Sequence, residues 1–369
     1  MFLNYSWISG AKILNVLFIM ILIIGLMGCN SQEKTTGTAK DMASATTNDK
    51  MNTEVSNAIK DETQLVEGAK HDSPDFKVTL LGTGHPHPSS ARMGASTLVE
   101  VGEEKLLFDA GRGAALRLYE YGVLPGEIDT LFLTHLHSDH VVGIDDVLLT
   151  GWLPYLGERK TPFFVWGPVG TETMMYHLSE VFESDIHARV NYTDAKGVEV
   201  ITQDINEGVI FEQNGVKVTS FLVEHEPDPS YGYRIDYKGR SVVISGDTAY
   251  SKNLVEHAKD VDVLVHEVAF AKPEDLQSSK TLQQIMSIHV SPEEAGKIFS
   301  ETQPKLAVYS HIVLLGGIRE ESVDLIELTK KTYSGDVVVG EDLMTFEISD
   351  EIIVKKPGIL EEPDAITNE

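Results

Sequence analysis

The chain has a single cysteine, Cys29, in 369 residues, so no disulfide can form within it. Basic side chains are scarce: 30 Lys and Arg stand against 57 Asp and Glu, a formal charge of −27. Lys12 is the only charged residue among residues 1–28, so the remainder carries −28. A surface of that sign repels polyanions, which argues against a nucleic-acid partner gripped through its phosphates. Residues 30–75 contain no aromatic side chain and are rich in Thr, Ser, Ala, Asn, Asp, Glu and Lys. Such a segment cannot bury enough apolar surface to offset its ordering entropy, so it reads as a flexible tether.

The one long apolar run lies at the start. Lys12 precedes Ile13–Met27, interrupted only by Asn15 and Gly25, and the run ends Leu26-Met27-Gly28-Cys29. A basic start, an apolar stretch and small residues at its end fit a secretory signal peptide over residues 1–28. The ending resembles a bacterial lipobox, which implies acylation of Cys29 and an exported protein anchored by lipid to the cell membrane or outer membrane. An uncleaved transmembrane anchor is the alternative.

Order is expected from Phe76. Short β-type runs follow at Lys77–Leu81, Ser96–Val101, Lys105–Phe108, Thr130–Thr134, Phe163–Trp166, Val216–Val223, Tyr231–Tyr237, Ser241–Ser245, Val261–His266 and Leu306–Ser310. Helical patterns intervene at Gly113–Tyr121, Thr171–Phe182, Ser251–His257, Pro292–Thr302 and Glu320–Lys331. Ser291-Pro292-Glu293-Glu294 offers an N-cap, an N1 proline and acidic first-turn residues. Strands that come in bunches and are then separated by helices suggest two sheets packed face to face with helices outside.

The chemistry concentrates where the apolar strand Thr130–Thr134 runs into His135-Leu136-His137-Ser138-Asp139-His140. Three imidazoles and a carboxylate within six residues, just past a strand end, can point into one pocket. Imidazole and carboxylate together suit zinc, with iron and manganese as competitors.

His-x-His-x-Asp-His resembles the signature of the metallo-β-lactamase superfamily. The rest of the chain, from Lys77 to about Asp342, continues the likeness. Leu81-Gly82-Thr83-Gly84, Phe108-Asp109-Ala110-Gly111-Arg112-Gly113, His225 before Tyr231-Gly232-Tyr233-Arg234, Gly246-Asp247-Thr248, His266-Glu267 and Ser310-His311 follow in order. That order resembles the ribonuclease Z branch and the exported arylsulfatase-like enzymes within it. The resemblance implies a four-layered αβ/βα sandwich over residues 76–355, with a flexible tail at 356–369. It also implies two metal ions, one held by His135, His137 and His225, the other by Asp139, His140 and His311, with Asp247 bridging. The metals would lower the pKa of a bound water, which Asp139 orients. By the same resemblance His289 protonates the leaving oxygen and Glu267 holds that imidazole in one tautomer.

Two departures bear on the branch. Ala110 and Arg112 stand where ribonuclease Z has Cys and Glu, and only 21 residues separate His225 from Asp247, none forming a basic, Gly-rich arm. With export and acidity these point to hydrolysis of a small sulfate ester or phosphodiester, arylsulfatase-like, with no nucleic acid bound. A β-lactamase or lactonase and a ribonuclease Z-like tRNA 3′-endonuclease are the alternatives, and a homodimer is compatible with the sequence. Trp152, Tyr155, Phe163, Phe164 and Trp166 offer an apolar wall for an aromatic leaving group, with Trp152 and Tyr155 the best placed. His85 and His87 lie on a Pro-punctuated turn and read as pocket rim or as nothing.

Overall fold

The computed structural model describes residues 75–357 except 226 and 228. The signal peptide, acylated Cys29 and tether expected over residues 1–75, and the tail expected at 356–369, lie outside the described residues except for 75, 356 and 357. Among the described residues no helix is long and apolar enough to cross a membrane.

Two sheets form the centre. The first has eight strands in the order β15-β14-β1-β2-β3-β4-β5-β6. These are β1 Phe76–Gly82, β2 Ser96–Val101, β3 Glu104–Phe108, β4 Thr130–Phe132, β5 Phe163–Gly167, β6 Val200–Asp204, β14 Thr345–Ile348 and β15 Ile352–Lys355. The second runs β13-β12-β11-β10-β9-β8-β7. Its strands are β7 Gly208–Gln213, β8 Val216–Val223, β9 Ser230–Tyr237, β10 Arg240–Ile244, β11 Val263–Phe270, β12 Leu306–Leu314 and β13 Val337–Val339.

Strand alternation decides which core each side chain joins. Val78, Leu80, Phe108 and Phe132 from one sheet meet Tyr233, Ile235, Val263 and Val265 from the other in a shared inner core. Their neighbours face outward. Leu81, Leu98, Leu131 and Leu133 pack under α1 Ala114–Tyr121 and α3 Ile144–Trp152. Val243, Leu264 and Val268 pack under α6 Lys252–His257 and α9 Pro292–Thr302. Helix, sheet, sheet, helix is the expected four-layered αβ/βα sandwich.

The capping box at Ser291 forms as its sequence predicts: its hydroxyl accepts from Glu294 N while the Glu294 carboxylate accepts from Ser291 N. Elsewhere the structure departs from the sequence pattern. The helix placed at Glu320–Lys331 splits into a 3-10 turn, Glu320–Ser322, and α10, Leu325–Lys330, which Asp324 caps by accepting from Glu327 N. Two further helices that the sequence reading does not place, α7 Pro273–Ser278 and α8 Lys280–Met286, contain no buried residue.

Candidate metal centre

Each predicted ligand sits where a strand gives out or breaks. β4 ends at Phe132, and the chain delivers His135 and His137 into α2 Ser138–Val141, which carries Asp139 and His140. Backbone crowding lets that loop lie so close: a Cβ on Gly111 would stand 2.3 Å from the Asp139 carbonyl oxygen. From the second sheet, His225 follows β8, Asp247 follows β10 and His311 lies within β12. The β11–β12 register passes from His266↔Tyr309 to Val268↔Ile312, so Ser310 and His311 together oppose Glu267. This bulge puts His311 at φ 42°, a left-handed conformation a β-strand does not otherwise hold. Bulges re-aim side chains, and here one turns His311 into the crevice.

The seven residues converge from both sheets. Donor atoms of His135, His137 and His225 lie within 4.8 Å of one another, as do those of His135, His140 and Asp247 and those of Asp139, His140 and His311. His140 Nε2 is 3.4 Å from Asp247 Oδ1, His311 Nε2 is 3.1 Å from Asp139 Oδ2, and His225 Nε2 is 3.4 Å from His137 Nδ1. Two ligands of one tetrahedral cation at ordinary bond lengths stand roughly 3.4 Å apart, so these spacings fit shared metal ions. The orphaned atoms agree. His135 Nε2, His140 Nε2, His311 Nδ1 and Asp247 Oδ1 are buried with no hydrogen-bond partner in the structure, a costly state unless a cation takes them. The donor set therefore fits a metal.

Surrounding groups fix the tautomers. Asp109 Oδ2 accepts from His140 Nδ1 at 2.8 Å, and the same carboxylate accepts from Thr134 N and Oγ1, each at 2.8 Å. The Ile288 carbonyl accepts from His225 Nδ1 at 2.9 Å. Each bond leaves Nε2 facing the crevice, as a metal ligand requires. Sequence reading did not assign Asp109 a role; its only signal is an acidic residue ending an apolar strand, and the structure holds it buried at φ 57°.

Electrostatics divide the histidines. Burial drives His135 well below its ordinary value, helped by the charge of His140. Burial opposes charge on His140 too, but Asp247 and Asp109 outweigh it and hold that ring well above the usual range. Asp247 is held well below the carboxylate range: burial disfavours its charge, and His311 and His140 overcome that.

His289 and Glu267 form the predicted pair. His289 Nδ1 donates to Glu267 Oε1 at 2.9 Å, and Thr248 N donates to the same oxygen at 3.0 Å. Burial pushes His289 down, and the Glu267 carboxylate more than restores it, to about 9. A nitrogen of His289 also lies within 4.8 Å of donor atoms of His225 and Asp247.

The aromatic wall does not exist. Trp152 is fully buried, its indole N–H donating to the Asp194 carbonyl at 2.7 Å, while Tyr155 is 77% exposed. Phe163 belongs to the core under α3. A different feature borders the crevice: a cavity of about 530 Å³ lined by Gly84, His85, His87, Ser89 and Arg92 on one side and Ile312, Leu314–Ile318 and Glu320 on the other. Burial, with the charges of His311 and His87, pushes His85 down to about 4.

The sequence profile of the family described as Anti-Pycsar protein Apyc1 matches residues 76–294. A protein called Ribonuclease Z from Mycobacterium avium (strain 104) is 33% identical over 278 residues, covering 74% of this chain and 98% of that protein. Another Ribonuclease Z, from Mycolicibacterium gilvum (strain PYR-GCK), is 30% identical over 286 residues, 77% of this chain and 100% of that protein. Among solved structures, the short form of human tRNase Z superposes with a TM-score of 0.56 at 24% identity, over 75% of this chain and 100% of that one. The metallo-β-lactamase fold protein YhfI from Bacillus subtilis gives 0.55 at 20% identity, over 73% and 98%. The chain belongs to the metallo-β-lactamase-fold hydrolases that include ribonuclease Z, metal-binding enzymes that act on phosphoester bonds.

These relatives overturn two expectations. The arylsulfatase-like reading gives way to the ribonuclease Z one, and with it goes the exclusion of nucleic acid as a partner. Both expectations leaned on export, the acidic charge and the missing arm. Yet this chain matches those relatives over nearly their whole length. Net charge governs non-specific attraction at long range; it says little about one phosphodiester meeting a crevice of metal-ligand type.

Proposed function

We propose that this protein is a ribonuclease Z-type phosphodiester hydrolase that cleaves precursor tRNA on its 3′ side with two zinc ions. His135, His137 and His225 would hold one ion, Asp139, His140 and His311 the other, and Asp247 would lie between them. Bound there, the ions would polarise a phosphoryl oxygen and acidify a water. The protein's own residues supply the rest. Glu267 holds His289 with Nδ1 protonated and Nε2 free for proton transfer, so the imidazolium can hand its proton to the leaving ribose oxygen. Asp139, beside His311, orients the attacking water.

The observation that carries this reading is the His289–Glu267 pair set against seven metal-type donors in a chain 33% identical to a ribonuclease Z. A ribose oxygen is a poor leaving group and needs an acid at that point. The test is to incubate the purified, zinc-loaded protein with a precursor tRNA carrying a 3′ trailer and with bis-p-nitrophenyl phosphate. Release of the trailer supports the proposal. Hydrolysis of the small diester with the precursor left intact would overturn the tRNA assignment while sparing the phosphodiesterase chemistry.

A further inference from the structure

The 530 Å³ cavity beside the metal centre is unused by the chemistry above, and its construction is specific. One wall is the His85–Arg92 loop, entered from β1; the other is the Leu314–Glu320 loop, leaving β12. The two are joined at their outer end, where Arg92 Nε donates to Glu320 Oε2 at 2.8 Å and Nη2 donates to Glu320 Oε1. Arg92 Nη1 also donates to Thr83 Oγ1 and to the Gly340 carbonyl, each at 2.6 Å. At the inner end Ile312 N donates to the Thr83 carbonyl at 2.9 Å, one residue from His311. The cavity is thus anchored at both ends and opens beside the metal ligands.

Its lining is selective in kind. The imidazoles of His85 and His87 lie nearly parallel, centroids 6.2 Å apart with 27° between planes. Leu314, Leu315 and Ile318 face them from the opposite loop, and Gly316 and Gly317 present no side chain. The one cation in the lining, Arg92, is spent on Glu320. A cavity with flat rings, aliphatic groups and a neutralised charge has little to offer a phosphate. It suits a flat, uncharged heterocycle attached to one.

We infer that this cavity is the subsite for the nucleoside next to the scissile phosphodiester, its base packed between the His85–His87 imidazoles and the Leu314–Ile318 loop. The inference rests on the phosphodiesterase reading above. Its volume is ample for one nucleoside and far too small for a folded RNA, so it would choose the residue at the cut while the rest of the substrate stays outside.

The test compares adenosine 5′-monophosphate with inorganic phosphate as ligands of the full-length, zinc-loaded protein. Calorimetry gives both dissociation constants, and inhibition of methyl p-nitrophenyl phosphate hydrolysis gives both inhibition constants. Base stacking contributes roughly 1–3 kcal/mol, so the wild type should favour the nucleotide by about tenfold or more. His87→Ala and Leu315→Ala, both at the cavity surface, should each bring that ratio to within about threefold of unity. If wild-type protein binds both ligands equally, or if the variants weaken phosphate as much as nucleotide, the subsite is overturned. If calorimetry shows the ratio collapsing in the variants while no diester is hydrolysed, the subsite stands and the hydrolytic reading falls.

Discussion

Asp109 and His140 are bound to each other from opposite ends of the site's wall: the carboxylate, fixed by the Thr134 amide and hydroxyl, accepts from His140 Nδ1 at 2.8 Å. The same Thr134 hydroxyl lies 3.0 Å from His135 Nδ1. One buried acid therefore sets the orientation of two neighbouring imidazoles, although it faces no ion itself.

Asp109→Asn should accordingly weaken metal binding without changing any ligand. Loss of such a supporting carboxylate typically costs about 10–100-fold in metal affinity. Zinc competition against a chromophoric chelator measures it. An affinity equal to the wild type would show that His140 needs no such partner.

His289→Ala should keep its metals and lose turnover selectively. General acid catalysis contributes about 10²–10⁴-fold, so trailer release from precursor tRNA should fall by that order. Bis-p-nitrophenyl phosphate, whose leaving group needs no proton, should suffer far less. Equal losses on both substrates, with zinc content unchanged, would remove His289 from the role of acid.

The same pair predicts a pH dependence of stability. The His289 value is raised from 6.5 to about 9, so its contribution is fully present below about pH 6.5 and is lost as pH rises through about 9. Thermal unfolding of metal-free protein between pH 6 and 10 should show that decline, and His289→Gln should flatten it. A variant curve parallel to the wild type would assign the slope to other groups.

Arg159 should prove the costliest single side chain on the structural side. It is 2% exposed, lies 4.6 Å over the Phe163 ring, and donates to the carbonyls of Ile128, Val147, Leu148, Gly197 and Pro125. Among the described residues no carboxylate bonds it. Arg159→Met would strand several of those carbonyls, so a loss of about 3 kcal/mol or more is expected in chemical denaturation. A change below about 1 kcal/mol would mean that water replaces the guanidinium with little penalty.

Zinc should raise the melting temperature, and a chelator should lower it. At a free zinc concentration 100 times its dissociation constant the gain is about 2.7 kcal/mol. A melting temperature indifferent to both additions would contradict the ligand set.

The convergence of these side chains is legible in the sequence because most of them lie just past the end of an apolar strand. His135–His140 follow an apolar run, and Asp247 follows another. Val263, Val265 and Glu267 share a strand face, which is why Glu267 could be aimed at the site before its partner was seen. Other features left no trace of that kind. β7 and β6 lie at sheet edges and contain no fully buried side chain, so neither shows a buried period. The bulge that re-aims His311 depends on β11 lying alongside, a relation no local window contains. The aromatic segment misled because residues around Trp152 are apolar for the sake of α3, not of a pocket. Substrate class was read least well, since charge summed over the whole chain was made to speak for one crevice.

The donors come from two separate sheets, and that has a mechanical meaning. A cation held by His140 on one side and His311 on the other would close a loop running through most of the described chain. It would act as a reversible cross-link where the sequence can form no disulfide. Long closed loops remove the most freedom from an unfolded chain, so filling the site should slow the parting of the sheets as well as enabling chemistry. Loading would then add to folding stability, beyond the inner core and the hydrogen bonds that already join the halves, such as Ile312 N to the Thr83 carbonyl.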